Sequence, residues 1–166
     1  ALVPTLDSYR PDLLLYPGDR EDVLIGAALS AYMRIPSVHF FGGDHATDGN
    51  VDNPVRHAAS KMSSVHFVTH EEHKRRLVAM GEMPERCHVV GNPALDKFHT
   101  TRESTREATL ASIGAKPNSE YALVIFHPVL GHEEGAAEEF QSILITLKEL
   151  GYYAIVSYPN IDSGSK

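Results

Sequence analysis

The 166-residue sequence has little of what would assign it to a membrane, secreted or nucleic-acid-binding class. Its single cysteine, Cys87, excludes a disulfide within the chain and is typical of a reducing compartment. No apolar run has the roughly 20 residues of a membrane-spanning helix, and the start ALVPTLDSYR has no signal-peptide pattern. Lys and Arg number only 15 against 22 Asp and Glu, and the formal net charge of −7 argues against nucleic acid or an anionic membrane as the main partner. We therefore expect a cytoplasmic protein that binds neither.

Apolar segments and helical patterns alternate along the chain. Six segments predict strands, at residues 12–18, 37–41, 64–69, 87–93, 121–128 and 152–160. Helical spacing predicts helices between them, at residues 20–34, 54–62, 70–81, 95–114 and 133–150, and Thr69 with Glu72 forms a capping-box pattern before the third. The alternation predicts an α/β fold with parallel strands and helices on both faces. The first segment, DLLLYPG, is almost continuously apolar, as in a strand buried on both faces.

The stretch from residue 99 to residue 119 is charged and weakly patterned, and it predicts a domain boundary. We expect residues 1–98 to belong to one domain and residues 119–166 to begin a second. Residues 99–118 would then connect them. The sequence contains neither an internal repeat nor a low-complexity tract.

Polar residues follow the predicted strands at the points where the strands end. LLLYPGDR ends on Asp19 and Arg20, VHFFGGD on Asp44, ALVIFHP on His127 and AIVSYPN on Asn160. In an open parallel sheet, ligands bind beyond the carboxyl ends of the strands. A carboxylate, a guanidinium, an imidazole and an amide on one edge supply an acid or base, an anion clamp and orienting donors. The pattern therefore predicts a site where these side chains converge.

Each of these residues also has a structural interpretation. Asp19 is equally well explained as the N-cap of the helix that begins near Arg20. A cation at Arg20 is mildly unfavourable beside a helix N-terminus, which favours a ligand role for it. A single histidine such as His127 is more often structural than catalytic, and the other nine histidines are taken as structural.

A metal site and a phosphate loop are weaker interpretations. His45, Asp48, Asp52 and His57 lack tight ligand spacing and thiolates, so we expect no metal. The last residues, IDSGSK, place Lys166 after a Gly/Ser turn that suits phosphate binding. They lack P-loop spacing, and as a bare motif they are better explained as a flexible end.

Six pieces of the sequence together resemble the UDP-N-acetylglucosamine 2-epimerase family, and its hydrolysing branch most closely. They are PDLLLYPGDRED, IPSVHFFGGD, VDNPVRHAASKMSSVHFVTHEEHKRRLVAMGE, RCHVVGNPALDKF, FHPV and YPNIDSGSK. They occur in the family's order from about residue 11 to the last residue. The resemblance implies two Rossmann-like domains that face each other across a cleft, a glycosyltransferase-B-type architecture. The chain corresponds to the middle of such a protein, and we expect it to be an inactive fragment on its own.

The resemblance also implies a reaction and residue roles. A base removes the C2 proton while UDP leaves C1, and water then adds to give N-acetylmannosamine, which feeds sialic-acid-like sugar synthesis; the other branch adds UDP back. By match to the family, Asp19 and Asp52 are acid/base carboxylates and His127 is a catalytic or phosphate-contacting group. Contacts to the UDP-linked 2-acetamido sugar are assigned to Arg20, Asp44, Asn160 and Lys166. No cofactor is expected, and a homo-oligomer is left open.

The sequence departs from the family pattern near these residues. Phe41 stands where the family usually has a group that transfers protons, and Asn53 stands where a second acidic residue is common. Pro54 replaces a usual serine, and Leu130-Gly131 replaces threonines after FHPV. Asp44 is a candidate for the lost carboxylate. These changes leave open a binding module without turnover, and a glycosyltransferase of the same architecture is a third interpretation.

Overall fold

The computed structural model describes residues 2–47, 51–100, 103–128, 131 and 133–158. The chain divides into two compact units, residues 1–100 and residues 101–166. The predicted linker at 99–118 spans the end of one unit and the start of the other, and its role as a domain boundary remains a prediction. Asp19, Arg20, Asp44 and Asp52 lie in the first unit and His127 lies in the second. Asn160 and Lys166 lie outside the described residues.

The first unit is built on one parallel sheet. Its strands are β1 (Leu14–Pro17), β2 (Ser37–Phe40), β3 (Val65–Val68) and β4 (Cys87–Val89), paired in the order β1-β2-β3-β4. Its helices are α1 (Leu2–Tyr9), α2 (Glu21–Met33), α3 (Asp52–Met62), α4 (Glu71–Ala79) and α5 (Asp96–Thr100). Short 3₁₀ turns lie at Pro84–Arg86 and Pro93–Leu95. The predicted parallel α/β fold is confirmed, and the carboxyl ends of all four strands meet at one edge.

One row of paired residues faces the helices of this unit. Tyr16 pairs with His39, His39 with His66, and His66 with Cys87. All four are buried, and α2, α3 and α4 supply the apolar side chains that pack beside them, chiefly Val23, Ala27, Ala59 and Leu77. Leu15, whose side chain points to the opposite face, is 55% exposed. The prediction that this strand is buried on both faces is wrong for β1, because Leu15 on the face opposite Tyr16 is exposed.

Buried hydroxyl groups join β1 to its neighbours. The Tyr16 hydroxyl lies 3.0 Å from Ser37 Oγ, 2.7 Å from Ser63 Oγ and 3.4 Å from Ser30 Oγ. Ser63 and Ser30 are anchored in turn on backbone carbonyls of α3 and α2. This network satisfies the polar groups that tyrosine and serine bring into the core.

Among its described residues, the second unit has a pair of parallel strands, two α-helices and a 3₁₀ turn at Glu133–Gly135. Its elements are α6 (Arg106–Ser112), β5 (Tyr121–Val124), α7 (Ala136–Glu149) and β6 (Tyr153–Val156). Leu123 of β5 pairs with Ile155 of β6, and Phe126 stacks on Phe140 of α7 with ring centroids 5.4 Å apart. Exposed His127 follows Phe126 at the carboxyl side of β5.

Several predicted element boundaries are wrong. The helix predicted at 95–114 is divided into α5 and α6, and α6 has its own N-cap in Thr105, whose hydroxyl accepts a hydrogen bond from the Ala108 N–H. The N-cap of α4 is His70, and the Thr69 hydroxyl instead bonds to the His73 ring at 3.0 Å. Nothing in the sequence pattern predicted α1. None of the helices in the described part of the chain combines the length and the hydrophobicity that a membrane span requires.

Candidate active site

The turn after β1 presents the first pair of predicted site residues. Gly18 has a φ of +98°, its N–H donates to the Phe40 carbonyl at 3.0 Å, and its carbonyl lies 2.8 Å from His39 Nε2. Arg20, and not Asp19, occupies the N-cap position of α2, and its side chain makes no capping bond. The interpretation of Asp19 as a helix cap is therefore not what the structure shows.

The Asp19 carboxylate pairs with the guanidinium of Arg56, through Oδ2 and Nη2. Arg56 lies in α3 and is only 7% exposed, and its burial and the charge of Arg76 lower its pKa from the ordinary arginine value. Sequence reasoning missed Arg56. The available signal was a cation on the apolar face of a predicted helix, since a buried cation needs a carboxylate partner.

Four buried polar atoms near the start of α3 have no hydrogen-bond partner among the described residues. They are Asp52 Oδ1, Arg56 Nε, Arg56 Nη1 and His57 Nδ1. Buried polar groups nearly always have partners, so unpaired donors and acceptors concentrated on two turns of one helix suit ligand binding. Burial, together with the charges of His45, Arg56 and Arg76, lowers the pKa of His57 and favours its neutral form.

The loop after β2 is held against α4. The Arg76 guanidinium donates to the Gly43 carbonyl. A Cβ added at Gly43 would lie 2.3 Å from the His73 carbonyl oxygen, so only glycine permits this approach. Asp44 Oδ1 accepts a hydrogen bond from the His45 N–H at 2.7 Å and lies 3.4 Å from His73 Nε2. The structure therefore holds Asp44 beside α4.

The same loop is tied to α3 by Asn53. Its side-chain oxygen accepts from the Ala46 N–H at 2.9 Å, and its side-chain nitrogen donates to the Ala46 carbonyl at 2.7 Å. An ionised carboxylate at this position could accept but could not donate. The amide that the sequence pattern marked as a departure thus has a structural role in this chain.

Phe41, the other main departure, occupies a strained position at the end of β2. Its φ of +66° lies in the left-handed region, and its ring packs edge-on against Phe40 with centroids 4.7 Å apart. The ring of Phe40 in turn lies edge-on to that of Phe67, with centroids 5.9 Å apart. An aromatic cluster therefore lies where a proton-transferring group was expected.

Four of the predicted site residues lie around the carboxyl ends of β1 and β2 and the start of α3. Asp19 contacts Arg56, which lies one helical turn after Asp52. Asp44 lies in the loop that Asn53 ties to α3, and Arg20 is the N-cap residue of α2. Their roles, and that of His127 in the second unit, remain predictions.

The metal interpretation finds no support in the described part of the chain. The rings of His45 and His57 stack with centroids 6.2 Å apart, and Asp48 falls outside the described residues. Within the described ranges, no group of three or more His, Cys, Asp or Glu side chains is arranged to hold a metal ion.

Comparison with known proteins relates this geometry to a family. The family profile described as UDP-N-acetylglucosamine 2-epimerase matches residues 1–166, which confirms the resemblance. The chain is 37% identical over 158 residues to the UDP-N,N'-diacetylbacillosamine 2-epimerase (hydrolyzing) of Legionella pneumophila, covering 95% of the chain and 41% of the relative. It is 33% identical over 164 residues to the UDP-N-acetylglucosamine 2-epimerase of Neisseria meningitidis serogroup B, covering 96% and 42%. The chain thus spans about two fifths of the length of these relatives.

A solved structure shares the fold. The crystal structure of UDP-GlcNAc 2-epimerase from Neisseria meningitidis bound to UDP-GlcNAc matches with a TM-score of 0.82 and 21% identity. The match covers 99% of this chain and 47% of that one. This likeness establishes the Rossmann-like α/β fold of the chain.

Proposed function

The chain belongs to the UDP-N-acetylglucosamine 2-epimerase family, and on that premise we propose that the intact protein containing it is a hydrolysing 2-epimerase of a UDP-linked 2-acetamido sugar. The observation that supports this most is the cluster around Arg56, which pairs with Asp19 and lies one helical turn after Asp52. The hydrolysing branch is favoured because the Legionella pneumophila relative, at 37% identity, is named as a hydrolysing enzyme.

The proposed reaction needs a base, a group that assists departure of the diphosphate, and water. In the first step the C2–H bond and the C1–O bond to UDP break, and a C1–C2 double bond forms. Asp19 and Asp52 are the proposed acid/base pair, because the C2 proton is weakly acidic and needs a base held in place. Water then adds its hydroxyl at C1 and a proton at C2, which gives the 2-epimeric free sugar. UDP is the other product.

The remaining predicted residues are proposed to bind the nucleotide sugar. Arg20, Asp44, Asn160 and Lys166 are assigned to its polar groups, and His127 to catalysis or to the diphosphate. Arg56 adds two buried N–H groups without partners among the described residues, which suit an anionic group. Phe41 cannot transfer a proton, and Asp44, three residues further on, is the proposed replacement.

The test is to incubate the intact protein in D₂O with UDP-N-acetylglucosamine and, in parallel, with UDP-N,N'-diacetylbacillosamine. We expect release of UDP and a 2-epimeric free sugar that carries deuterium at C2. Asp19→Asn and Asp52→Asn should each lower the rate by about 100-fold or more, because a lost general acid or base typically costs that much. Asp22→Asn, the same chemical change at an exposed position on α2, is the matched control and should leave the rate unchanged.

Other outcomes separate the alternatives. Deuterium at C2 of an epimerised UDP-sugar, without accumulation of UDP, would identify the non-hydrolysing reaction. Binding of UDP with neither exchange nor release would identify a binding module, which is the reading that Phe41 favours. Transfer of the sugar to an acceptor without C2 exchange would identify a glycosyltransferase.

A further inference from the structure

His39 contacts the turn residue that precedes Asp19 and does not belong to the predicted set. It lies in β2 and is 0% exposed. Its Nε2 lies 2.8 Å from the Gly18 carbonyl oxygen, and its Nδ1 lies 2.9 Å from Ser60 Oγ. A carbonyl oxygen can only accept, so Nε2 carries the hydrogen and Nδ1 accepts from the Ser60 hydroxyl. The two partners together fix one neutral tautomer.

The protonation state agrees with this assignment. Burial lowers the pKa of His39 from 6.5 to about 4, against the opposing effect of the Gly18 hydrogen bond. The ring is therefore neutral at physiological pH, with one donor and one acceptor. An imidazole buried in this way is tolerated only because both nitrogens are bonded.

The bond to Gly18 holds the backbone of the residue that precedes Asp19. β2 binds both polar backbone groups of Gly18, because Phe40 accepts from its N–H and His39 donates to its carbonyl. Gly18 has a φ of +98°, so the turn is held in a conformation that few other residues adopt. The next residue, Asp19, reaches Arg56.

The bond to Ser60 connects the same ring to α3, the helix that carries Arg56. Ser60 follows Arg56 by four residues on α3 and is fully buried. His39 thus contacts both elements that supply the Asp19–Arg56 pair, the turn after β1 and the helix α3.

We propose that His39 is a positioning residue that sets the direction of the Asp19 carboxylate by donating to the Gly18 carbonyl, while Ser60 anchors the ring on α3. The inference rests on the proposed function, in which Asp19 is an acid or base. A buried histidine needs partners for both nitrogens in any case; positioning is inferred from which partners these are, the residue before Asp19 and the helix that carries Arg56.

Two variants of the intact protein separate positioning from packing. In His39→Gln the side-chain amide reaches the place of Nε2 and still donates to Gly18. In His39→Asn the shorter amide lies at the depth of Nδ1, which keeps the Ser60 contact and loses the Gly18 bond. We expect His39→Gln to stay within about threefold of the wild-type kcat and His39→Asn to lose about 10- to 100-fold, with KM changed less than threefold. Equal losses in both variants, or a change confined to KM, would overturn the proposal.

A second measurement does not depend on turnover. Selective ¹³C labelling of aspartate carboxyl carbons lets the titration of Asp19 be followed by NMR, with Asp19→Asn identifying its signal. His39→Asn should move the Asp19 titration midpoint, and His39→Gln should leave it in place. If His39→Asn does not fold, His39→Met replaces it, since its terminal methyl group reaches the place of Nε2 but cannot donate to the Gly18 carbonyl and should move the same midpoint.

The two measurements distinguish failure of the inference from failure of the function. An Asp19 midpoint that is the same in wild type, His39→Asn and His39→Met would overturn positioning by His39 even in an active enzyme. A shifted midpoint in a protein that releases no UDP would support the positioning of Asp19 and reject the proposed reaction instead.

Discussion

At the scale of single residues, Arg56 is a buried cation whose charge is balanced by the Asp19 carboxylate. The stability of the site depends on this ion pair. Only one of the three Arg56 nitrogens has a partner among the described residues, the Asp19 carboxylate. Removing one partner of a buried ion pair leaves an uncompensated charge, which costs more than the pair itself contributes.

We therefore expect Asp19→Asn to destabilise the first unit by about 3 kcal/mol. Asp22→Asn, with the same loss of charge at an exposed position of α2, should cost only a few tenths of a kcal/mol. Native-state hydrogen exchange of β1 and β2 amides in the intact protein measures the destabilisation caused by each substitution. A destabilisation of the same size in the two variants would show that the Arg56 pair is not the cause.

The buried His39 predicts how stability depends on pH. Its folded-state pKa of about 4 lies below the ordinary value of 6.5, so the unfolded chain takes up a proton at a higher pH than the folded chain does. The stability that the neutral ring contributes is therefore present above pH 6.5 and is lost as the pH falls towards 4. The difference between the two pKa values corresponds to about 3 kcal/mol in the free energy of unfolding.

His39→Gln removes this titration and should flatten the pH dependence between pH 6.5 and 4. Burial also lowers the pKa values of His57, His66 and His73, so wild type must be compared with the variant and not with a flat line. Hydrogen exchange of β2 amides at several pH values gives the two curves. Parallel curves would contradict the burial of a neutral His39.

At the residue scale, the sequence predicted carboxylates and missed their partners. Asp19 and Asp44 follow strands directly, and the rule that ligands bind at strand ends identifies them. Arg56 and His39 lie inside a helix and a strand. Their pairings join residues 37 and 21 positions apart, and no periodic pattern records which distant group a buried polar side chain meets.

At the scale of elements, the loop after β2 depends on a close backbone approach to α4. Gly43 has a φ of +73°, and a Cβ there would lie 2.3 Å from a backbone oxygen of His73 that cannot move aside cheaply. Gly91 has a φ of +80° but nothing within 4 Å of an added Cβ. The two glycines share the backbone conformation and differ in the contact.

Gly43→Ala and Gly91→Ala therefore form a matched pair. Both substitutions carry the strain of the left-handed region, about 1 kcal/mol, and only Gly43→Ala adds the steric clash, which should bring its cost to about 3 kcal/mol or more. Because the shifted loop carries Asp44, Gly43→Ala should also weaken UDP-sugar binding. Hydrogen exchange and ligand titration measure the two effects, and equal costs at the two positions would contradict the packing of this loop on α4.

The sequence predicted the order of elements in the first unit well and their ends poorly. Strand predictions such as 12–18 included turn residues, because apolar runs continue past the last ladder bond; β1 covers only Leu14–Pro17. α1 has no clear signal, since Pro4 and Asp7 interrupt its apolar residues. The row of buried side chains from Tyr16 to Cys87 follows from strand register, which the alternation of elements does not specify.

At the scale of the whole molecule, the chain covers about two fifths of its curated relatives, so the proposed chemistry belongs to a longer protein. Asp19, Asp44 and Asp52 lie in the first unit, whereas His127 follows a strand of the second. A reaction that breaks two bonds of one substrate requires its base and its diphosphate contacts to be held together. The family match supports the proposal for the intact protein, and the roles of His127, Asn160 and Lys166 in it remain predictions.

We expect the isolated 166 residues to release no detectable UDP from a UDP-linked 2-acetamido sugar, while the intact protein does so with C2 exchange. Adding the chain to an intact Asp19→Asn variant should not restore the rate, because the site would have to form within one polypeptide. The isolated chain must first be shown to fold, by protection of β1 and β2 amides from exchange and by a neutral His39 Nε2–H signal in NMR. Turnover by the folded chain alone would mean that residues 1–166 contain the whole site, and would contradict the expectation that the chemistry needs a longer protein.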